Sequence, residues 1–153
     1  MNDIKVMNHA ADNIRILTAA MVEKAKSGHP GGAMGGADFI NVLYSEYLQY
    51  DPENPEWEGR DRLFLDPGHM SPMLYGVLSM TGHFTLEELQ QFRQWGSPTP
   101  GHPELCVKRG VENSSGPLGQ GHVFAVGAAI GAKFLAARTG NPTFSKETIY
   151  AYI

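Results

Sequence analysis

The chain has 153 residues, 42% of them hydrophobic and 18% charged, which is typical of a globular protein and allows one domain or part of one. Its formal net charge of −4, without any cluster of lysine or arginine, argues against a nucleic-acid-binding protein. No apolar run is long enough to span a bilayer, so we expect no membrane partner.

The N-terminal segment and the cysteine content bear on the cellular compartment. Residues 1–9 lack the apolar core of a signal peptide. The single cysteine, Cys106, has no second cysteine with which to form a disulfide in the chain, as is typical of a reducing compartment. Both features predict a cytoplasmic protein.

Two helices joined by a turn are predicted at the start of the chain. Apolar residues recur at helical spacing over residues 7–26. A turn rich in glycine and proline, residues 27–32, ends this helix. A second helix is predicted over residues 33–50.

A strand, a turn and a third helix follow. Residues 63–65 read as a short buried strand, 66–69 as a turn and 70–80 as a helix. In an α/β fold such a turn lies at the carboxyl edge of the sheet, where ligands bind, and this turn contains His69. Ion pairs or strand-end caps are predicted for the charged residues before the strand, Arg60, Asp61 and Arg62.

The last third of the chain predicts a stiff loop, a glycine-rich turn, a long helix and a strand. Prolines restrict residues 95–103 and so hold His102 in place. The glycine-rich residues 114–122 precede a helix over 123–138, and they present unpaired N–H groups to a ligand. Residues 148–153 read as a buried strand. The series predicts an α/β fold with a parallel sheet flanked by helices.

The histidines are distributed far from randomly. Five of the six directly follow a glycine, whereas the composition predicts fewer than one such pair by chance. A neighbouring glycine removes a side chain that would obstruct a ligand on its way to the imidazole. Because three of these pairs lie in turns, we expect His29, His69 and His102 to converge on one site.

The predicted strand 148–153 is the last segment of the sequence. A parallel strand needs crossover connections and cover on both faces. We therefore expect a fold that is incomplete at the C-terminus and a chain that is the N-terminal part of a longer protein.

Several motifs occur in an order that resembles one family. They are Ser27-Gly28-His29-Pro30-Gly31, Arg60-Asp61-Arg62, Gly68-His69, Gly101-His102-Pro103-Glu104 and Gly116-Pro117-Leu118-Gly119-Gln120-Gly121. Each motif is weak alone, but the series resembles the N-terminal, diphosphate-binding domain of transketolase over residues 12–153. Related thiamine-diphosphate enzymes such as deoxyxylulose-phosphate synthase share parts of the pattern, and the last two motifs together favour transketolase. The resemblance implies that residues 1–153 are the N-terminal portion of this domain and that the later domains are absent.

The resemblance implies a function and a set of site residues. The protein would transfer two-carbon ketol units between sugar phosphates with thiamine diphosphate as its cofactor. His29 and His102 would be catalytic, binding sugar hydroxyls and moving protons, which imidazole can both donate and accept near neutral pH. His69 would contact the diphosphate. The rings of the cofactor would lie against the backbone of three residues, Gly116, Pro117 and Leu118.

The resemblance also implies parts that these residues do not contain. The ligands of the family's metal ion, Mg²⁺ or Ca²⁺, are expected beyond Ile153, so no metal ligand is assigned here. The glutamate that activates the cofactor would come from a later domain of the partner subunit in a homodimer. We therefore expect the 153-residue chain alone to be inactive and to bind the cofactor weakly. The turn also departs from many relatives, which have a small or polar residue before Gly68 where this chain has Asp66-Pro67.

Two other functions remain open at this point. A metal-dependent hydrolase would use the same histidines, although no His-x-His or His-x-x-x-His spacing occurs. A non-catalytic chain, or one subunit of a split enzyme that needs a partner chain, is the other alternative. The intact series of motifs argues against a degenerate protein.

Overall fold

The computed structural model describes residues 2–153, which fall into two compact units. Unit 1 comprises Met1–Tyr47 and His69–Pro103, and unit 2 comprises Leu48–Gly68 and Glu104–Ile153. None of the helices in residues 2–153 has the length and apolar character that a membrane crossing requires.

The regular secondary structure described in unit 1 is helical. Its helices are α1 (Ile4–Ala25), α2 (Pro30–Gly35), α3 (Ala37–Val42), α4 (Ser71–Met80) and α5 (Leu86–Leu89). A π-helical turn, Leu43–Tyr47, continues α3, and a 3-10 turn, Gly68–Met70, leads into α4.

The first two predicted helices differ from the observed ones at their ends. Helix α1 begins earlier than residue 7, because the Asp3 side chain accepts hydrogen bonds from the first backbone N–H groups and caps it. The predicted turn 27–32 is shorter, because Pro30 occupies the first position of α2. The single helix predicted over 33–50 is wrong in extent: it is divided between α2 and α3, and helical structure ends at Tyr47.

The core of unit 1 forms where α1 packs on α4. Ile14 of α1 is fully buried, and Tyr75 of α4 is 1% exposed. The Tyr75 ring lies 5.4 Å from the ring of Phe84 and 6.3 Å from that of Phe92, centroid to centroid. Such aromatic contacts, together with burial of the rings, fix α4 and the segment that follows it.

Unit 2 contains the sheet. Strands β1 (Arg62–Leu65) and β2 (Ile149–Tyr152) are parallel, with Arg62 paired to Ile149 and Leu65 to Tyr152. Helix α6 (Gly121–Thr139) packs against both strands, and short 3-10 turns cover Val107–Arg109 and Pro142–Ser145. This arrangement confirms the predicted α/β fold with a parallel sheet.

The second strand and α6 are less buried than the sequence pattern suggests. Strand β2 was expected to be buried, but its residues are half-buried or exposed, because β1 is its one strand neighbour among residues 2–153. Helix α6 packs through small residues, Gly121, Ala125 and Ala132. Large apolar side chains of α6 are exposed: Val123, Phe124, Val126, Ile130, Phe134 and Leu135.

The charged residues at the start of β1 have structural roles, as predicted. The Arg60 guanidinium makes two hydrogen bonds, of 2.7 and 3.0 Å, to the Glu112 carboxylate, and each side chain is 7% exposed. Arg62 Nε lies 3.0 Å from Glu147 Oε2. The Asp61 carboxylate accepts hydrogen bonds from two backbone N–H groups. These residues tie β1 to neighbouring segments of unit 2.

Candidate functional site

Three of the histidines that directly follow a glycine lie together in unit 1. The rings of His29 and His69 meet edge to face, with centroids 5.1 Å apart and an interplanar angle of 77°. His102 lies near enough to both for their charges to act on its pKa. The structure therefore brings together the three imidazoles that the sequence singled out, while their individual roles stay predictions.

Two of these histidines are placed by the starts of helices. His29 immediately precedes α2 in an extended conformation, and Pro30 begins the helix directly after it. His69 lies in the 3-10 turn that leads into α4. Both backbones are set by regular structure, which limits the positions that the two rings can occupy.

His102 is placed by a loop that α4 holds. The Ser71 hydroxyl donates a hydrogen bond of 2.8 Å to the carbonyl of Gly101, and the Tyr75 hydroxyl donates one of 2.9 Å to the carbonyl of Pro100. Side chains of α4 thus satisfy the two carbonyls before His102. The prolines predicted a stiff loop, but these anchors could not be recognised from the sequence.

Arg93 supplies a fixed cation beside this loop, and sequence reasoning missed it. Its backbone has a left-handed φ of 62°, and its N–H donates to the Thr99 carbonyl at 3.0 Å. Its Nη1 donates to the Ser27 hydroxyl at 2.8 Å, and its guanidinium lies 5.6 Å from the Phe92 ring centroid. Its Nε is buried and has no hydrogen-bond partner among the described residues.

The pKa of His102 is lower than that of an ordinary histidine. Partial burial is the main cause, followed by the charges of Arg93, His69 and His29. A lowered value leaves the His102 imidazole neutral at pH 7, since the ordinary histidine pKa is already about 6.5. The side chain is therefore ready to accept a proton.

Removing the cation should raise the pKa of His102. Arg93→Gln removes one of the charges that disfavour the imidazolium, whereas Arg93→Lys keeps a cation on a side chain of different shape. We expect the His102 ring resonances to titrate at higher pH in Arg93→Gln than in Arg93→Lys, as followed by NMR. Equal pKa values in the two variants would show that the Arg93 charge does not act on His102.

The glycine loop, residues 116–121 of unit 2, is held by Asp66. One carboxylate oxygen of Asp66, Oδ1, accepts hydrogen bonds from the N–H groups of Gly119 at 2.9 Å and Gly121 at 3.0 Å. The prediction that this loop presents unpaired N–H groups to a ligand is therefore wrong for these two groups. The acceptor comes from the segment after β1, which sequence spacing could not reveal.

The other carboxylate oxygen of Asp66 contacts a histidine. Asp66 Oδ2 lies 2.8 Å from His122 Nδ1, and the His122 hydrogen bond is the largest cause that lowers the Asp66 pKa, supported by the N–H groups of Gly121 and Gly119. Asp66 is 6% exposed. The pair Asp66-Pro67 before Gly68 was a predicted departure from the family, but no role was predicted for Asp66, although an acidic residue directly after a buried strand was a usable signal.

Gly116 of the loop lies close against Gly68, which belongs to the turn after β1. A Cβ atom on Gly68 would lie 2.8 Å from Ser115 Oγ and 2.9 Å from the nitrogen of Gly116, so only glycine allows this approach. Pro117 and Leu118 are exposed, Leu118 by 68%. Pro117 also lines an open cleft of about 470 Å³. Pro117 and Leu118 thus present accessible apolar surface, whereas Gly116 is half-buried.

No group of three or more His, Cys, Asp or Glu side chains within residues 2–153 is arranged to hold a metal ion. The cluster of His29, His69 and His102 is therefore not arranged as a metal site.

Comparison with known proteins identifies the class and then the family. Residues 6–153 match the family model described as "Transketolase, thiamine diphosphate binding domain". The parallel strands of unit 2 and the glycine loop before α6 are therefore parts of a thiamine diphosphate binding domain. The chain belongs to the transketolase family.

Individual relatives agree with this result. The chain is 48% identical to transketolase 1 of Escherichia coli over 143 residues, covering 93% of this chain and 22% of that protein. A structure of transketolase from Leishmania mexicana superposes with a TM-score of 0.84 at 43% identity, covering 95% of this chain and 22% of that one. A crystal structure of transketolase from Pichia stipitis in complex with sedoheptulose-7-phosphate superposes with a TM-score of 0.82 at 37% identity. The match covers 96% of this chain and 22% of that one. The chain spans about a fifth of the length of these relatives.

Proposed function

We propose that this chain is the N-terminal portion of a thiamine-diphosphate-dependent transketolase that transfers two-carbon ketol units between sugar phosphates. The family match over residues 6–153 carries the proposal. The convergence of His29 and His69, with His102 beside them, supports it because ketol transfer needs groups that exchange protons near neutral pH. The sugar phosphate in the Pichia stipitis complex supports phosphorylated sugars as substrates.

The chain's own residues are suited to hold the cofactor. His69 would bind the diphosphate, and the loop residues would bind the rings: Gly116, Pro117 and Leu118. The exposed apolar residues Pro117 and Leu118 suit a flat heteroaromatic ring, and an imidazole can donate a hydrogen bond to a diphosphate oxygen. When bound, the thiazolium of the cofactor supplies an electron sink for carbon–carbon cleavage.

His29 and His102 are proposed to act on the sugar. Their rings would bind its hydroxyl groups and hold the reacting carbons in place. His102 is neutral at pH 7 because its pKa is lowered, chiefly by burial, so it can accept a proton from a hydroxyl group. The Ser71 and Tyr75 hydrogen bonds to the preceding loop keep that ring in position.

Further parts of the proposal concern groups outside this chain. A divalent ion, Mg²⁺ or Ca²⁺, would be held by residues that follow Ile153, and two copies of the protein would form a homodimer. The cytoplasm is the proposed compartment, since Cys106 is a free, exposed thiol that suits reducing conditions. A metal-dependent hydrolase and a non-catalytic chain gain no support, because the relatives described above are transketolases.

A binding and activity measurement tests the proposed function. Protein expressed from the complete gene should bind thiamine diphosphate with micromolar or tighter affinity in calorimetry with Mg²⁺ or Ca²⁺. It should also transfer a ketol unit from a ketose phosphate to an aldose phosphate. The 153-residue chain alone should show neither property, because the metal ligands and the activating glutamate are expected elsewhere. Micromolar binding by the chain alone, or no transfer by the product of the complete gene, would contradict the proposal.

A further inference from the structure

We propose that Asp66 is a positioning residue that holds the glycine loop in the shape that binds the cofactor, with His122 completing the contact. This inference rests on the proposed function, because the loop is the proposed support for the cofactor rings. The pair Asp66-Pro67 departs from the family pattern, and the proposed function assigns Asp66 no part in binding the cofactor or the sugar.

Several contacts of the glycine loop converge on Asp66. The Asp66 carboxylate accepts the N–H groups of Gly119 and Gly121, and its second oxygen meets the His122 ring. The Asp66 backbone carbonyl also accepts a 2.7 Å hydrogen bond from the Ser115 hydroxyl. Both sides of the proposed ring-binding residues are therefore fixed to Asp66, before them at Ser115 and after them at Gly119 and Gly121.

The backbones of Gly121 and Asp66 lie unusually close together. A Cβ atom on Gly121 would lie 2.4 Å from the Cα of Asp66, a distance that no real side chain tolerates. The first turn of α6 therefore lies directly against Asp66. Asp66 is itself attached to the sheet, since its N–H donates to the carbonyl of Tyr152 at 2.9 Å. Asp66 thus connects the loop to β2.

The charge of Asp66 also depends on the loop. A carboxylate that is 6% exposed needs compensation for the water it has lost, and Asp66 obtains it from two N–H groups and an imidazole. The part that comes from the two N–H groups exists only while the glycine loop keeps its shape, because both groups belong to that loop. Any opening of the loop would deprive Oδ1 of both of its donors and leave His122 as the remaining partner of the carboxylate.

Hydrogen exchange tests the contact without reference to the cofactor. In protein expressed from the complete gene, Asp66→Ala should speed exchange in the peptide containing Gly119 and Gly121 by about tenfold or more, as expected for the loss of a buried acceptor. Asp66→Asn keeps one acceptor oxygen and should lie between Asp66→Ala and the natural protein. Adding His122→Ala to Asp66→Ala should change little, because the two residues act through the same contact.

Asp61→Asn is the matched control. Asp61 is also 6% exposed and accepts two backbone N–H groups, from Gln49 at 3.0 Å and Thr148 at 2.6 Å, but it does not bond to the glycine loop. It should leave exchange in the loop unchanged. An equal effect of Asp61→Asn and Asp66→Asn on the loop would reduce Asp66 to a general stabilising residue and overturn the proposal.

Cofactor affinity provides the functional readout. Thiamine diphosphate should bind the Asp66→Ala variant about tenfold or more weakly in calorimetry, while the KM for the sugar phosphate at saturating cofactor stays within about twofold, because a positioning residue acts on loop order rather than on sugar contacts. Faster exchange with unchanged cofactor affinity would overturn the proposal, as would unchanged exchange. If the natural protein binds no cofactor, the proposed function fails, and exchange still shows whether Asp66 holds the loop.

Discussion

Replacing Glu112 by alanine is expected to destabilise the protein by about 3–5 kcal/mol, the cost of leaving one partner of a buried ion pair without the other. Arg60 would remain buried with two of its donors, Nε and Nη2, deprived of their acceptor. Its Nη1 would keep the 2.8 Å hydrogen bond to the carbonyl of Trp57. Urea denaturation followed by circular dichroism measures the change in the free energy of unfolding.

Two control variants distinguish the effect of burying an ion pair from the effect of its charge alone. Glu23 pairs with Lys26 at the end of α1, where both side chains are about three-quarters exposed, so Glu23→Ala should cost less than about 1 kcal/mol. The double replacement of Arg60 by Met and Glu112 by Leu should recover much of the loss, because it removes both buried charges. A loss for Glu112→Ala no larger than that for Glu23→Ala would contradict the structural role given to the buried pair.

Replacing His102 by alanine is expected to lower kcat for ketol transfer by about 100-fold, in the range that a general acid or base contributes. The reason is that a neutral imidazole, ready to accept a proton, disappears from the cluster with His29 and His69. The assay uses protein from the complete gene with saturating cofactor. His29→Ala should have a comparable effect.

The dependence of activity on pH tests the same role of His102. Because the His102 pKa is lowered, activity should be retained below the ordinary histidine value of about 6.5 and fall only as the pH drops through the lowered value. In Arg93→Gln that acidic limb should move to higher pH. His9, an exposed histidine of α1, is the control, and His9→Ala should leave kcat within about twofold. A full loss of activity in His9→Ala, or normal activity in His102→Ala, would remove the catalytic assignment.

Much of the fold and part of the site could be predicted from local patterns. The strand after Arg62, the helix after His69 and the long helix after the glycine loop depend on apolar spacing, glycine and proline, all of which act between residues close in sequence. The histidines could be singled out for the same reason, since a glycine before an imidazole is a local feature. In the predicted helix 33–50, the apolar spacing favoured one continuous helix whereas the glycines disfavoured it. These local signals conflicted, and the predicted bounds were wrong.

The sequence by itself therefore determined the α/β class, the family resemblance and the three imidazoles of the candidate site. Only the tertiary structure decided which partners the buried charges have: Glu112 for Arg60, and Gly119, Gly121 and His122 for Asp66. These partners are separated by about fifty residues of chain, and no local spacing rule connects them. Burial explains why they must exist, since a charge removed from water needs a donor or acceptor wherever the fold supplies one.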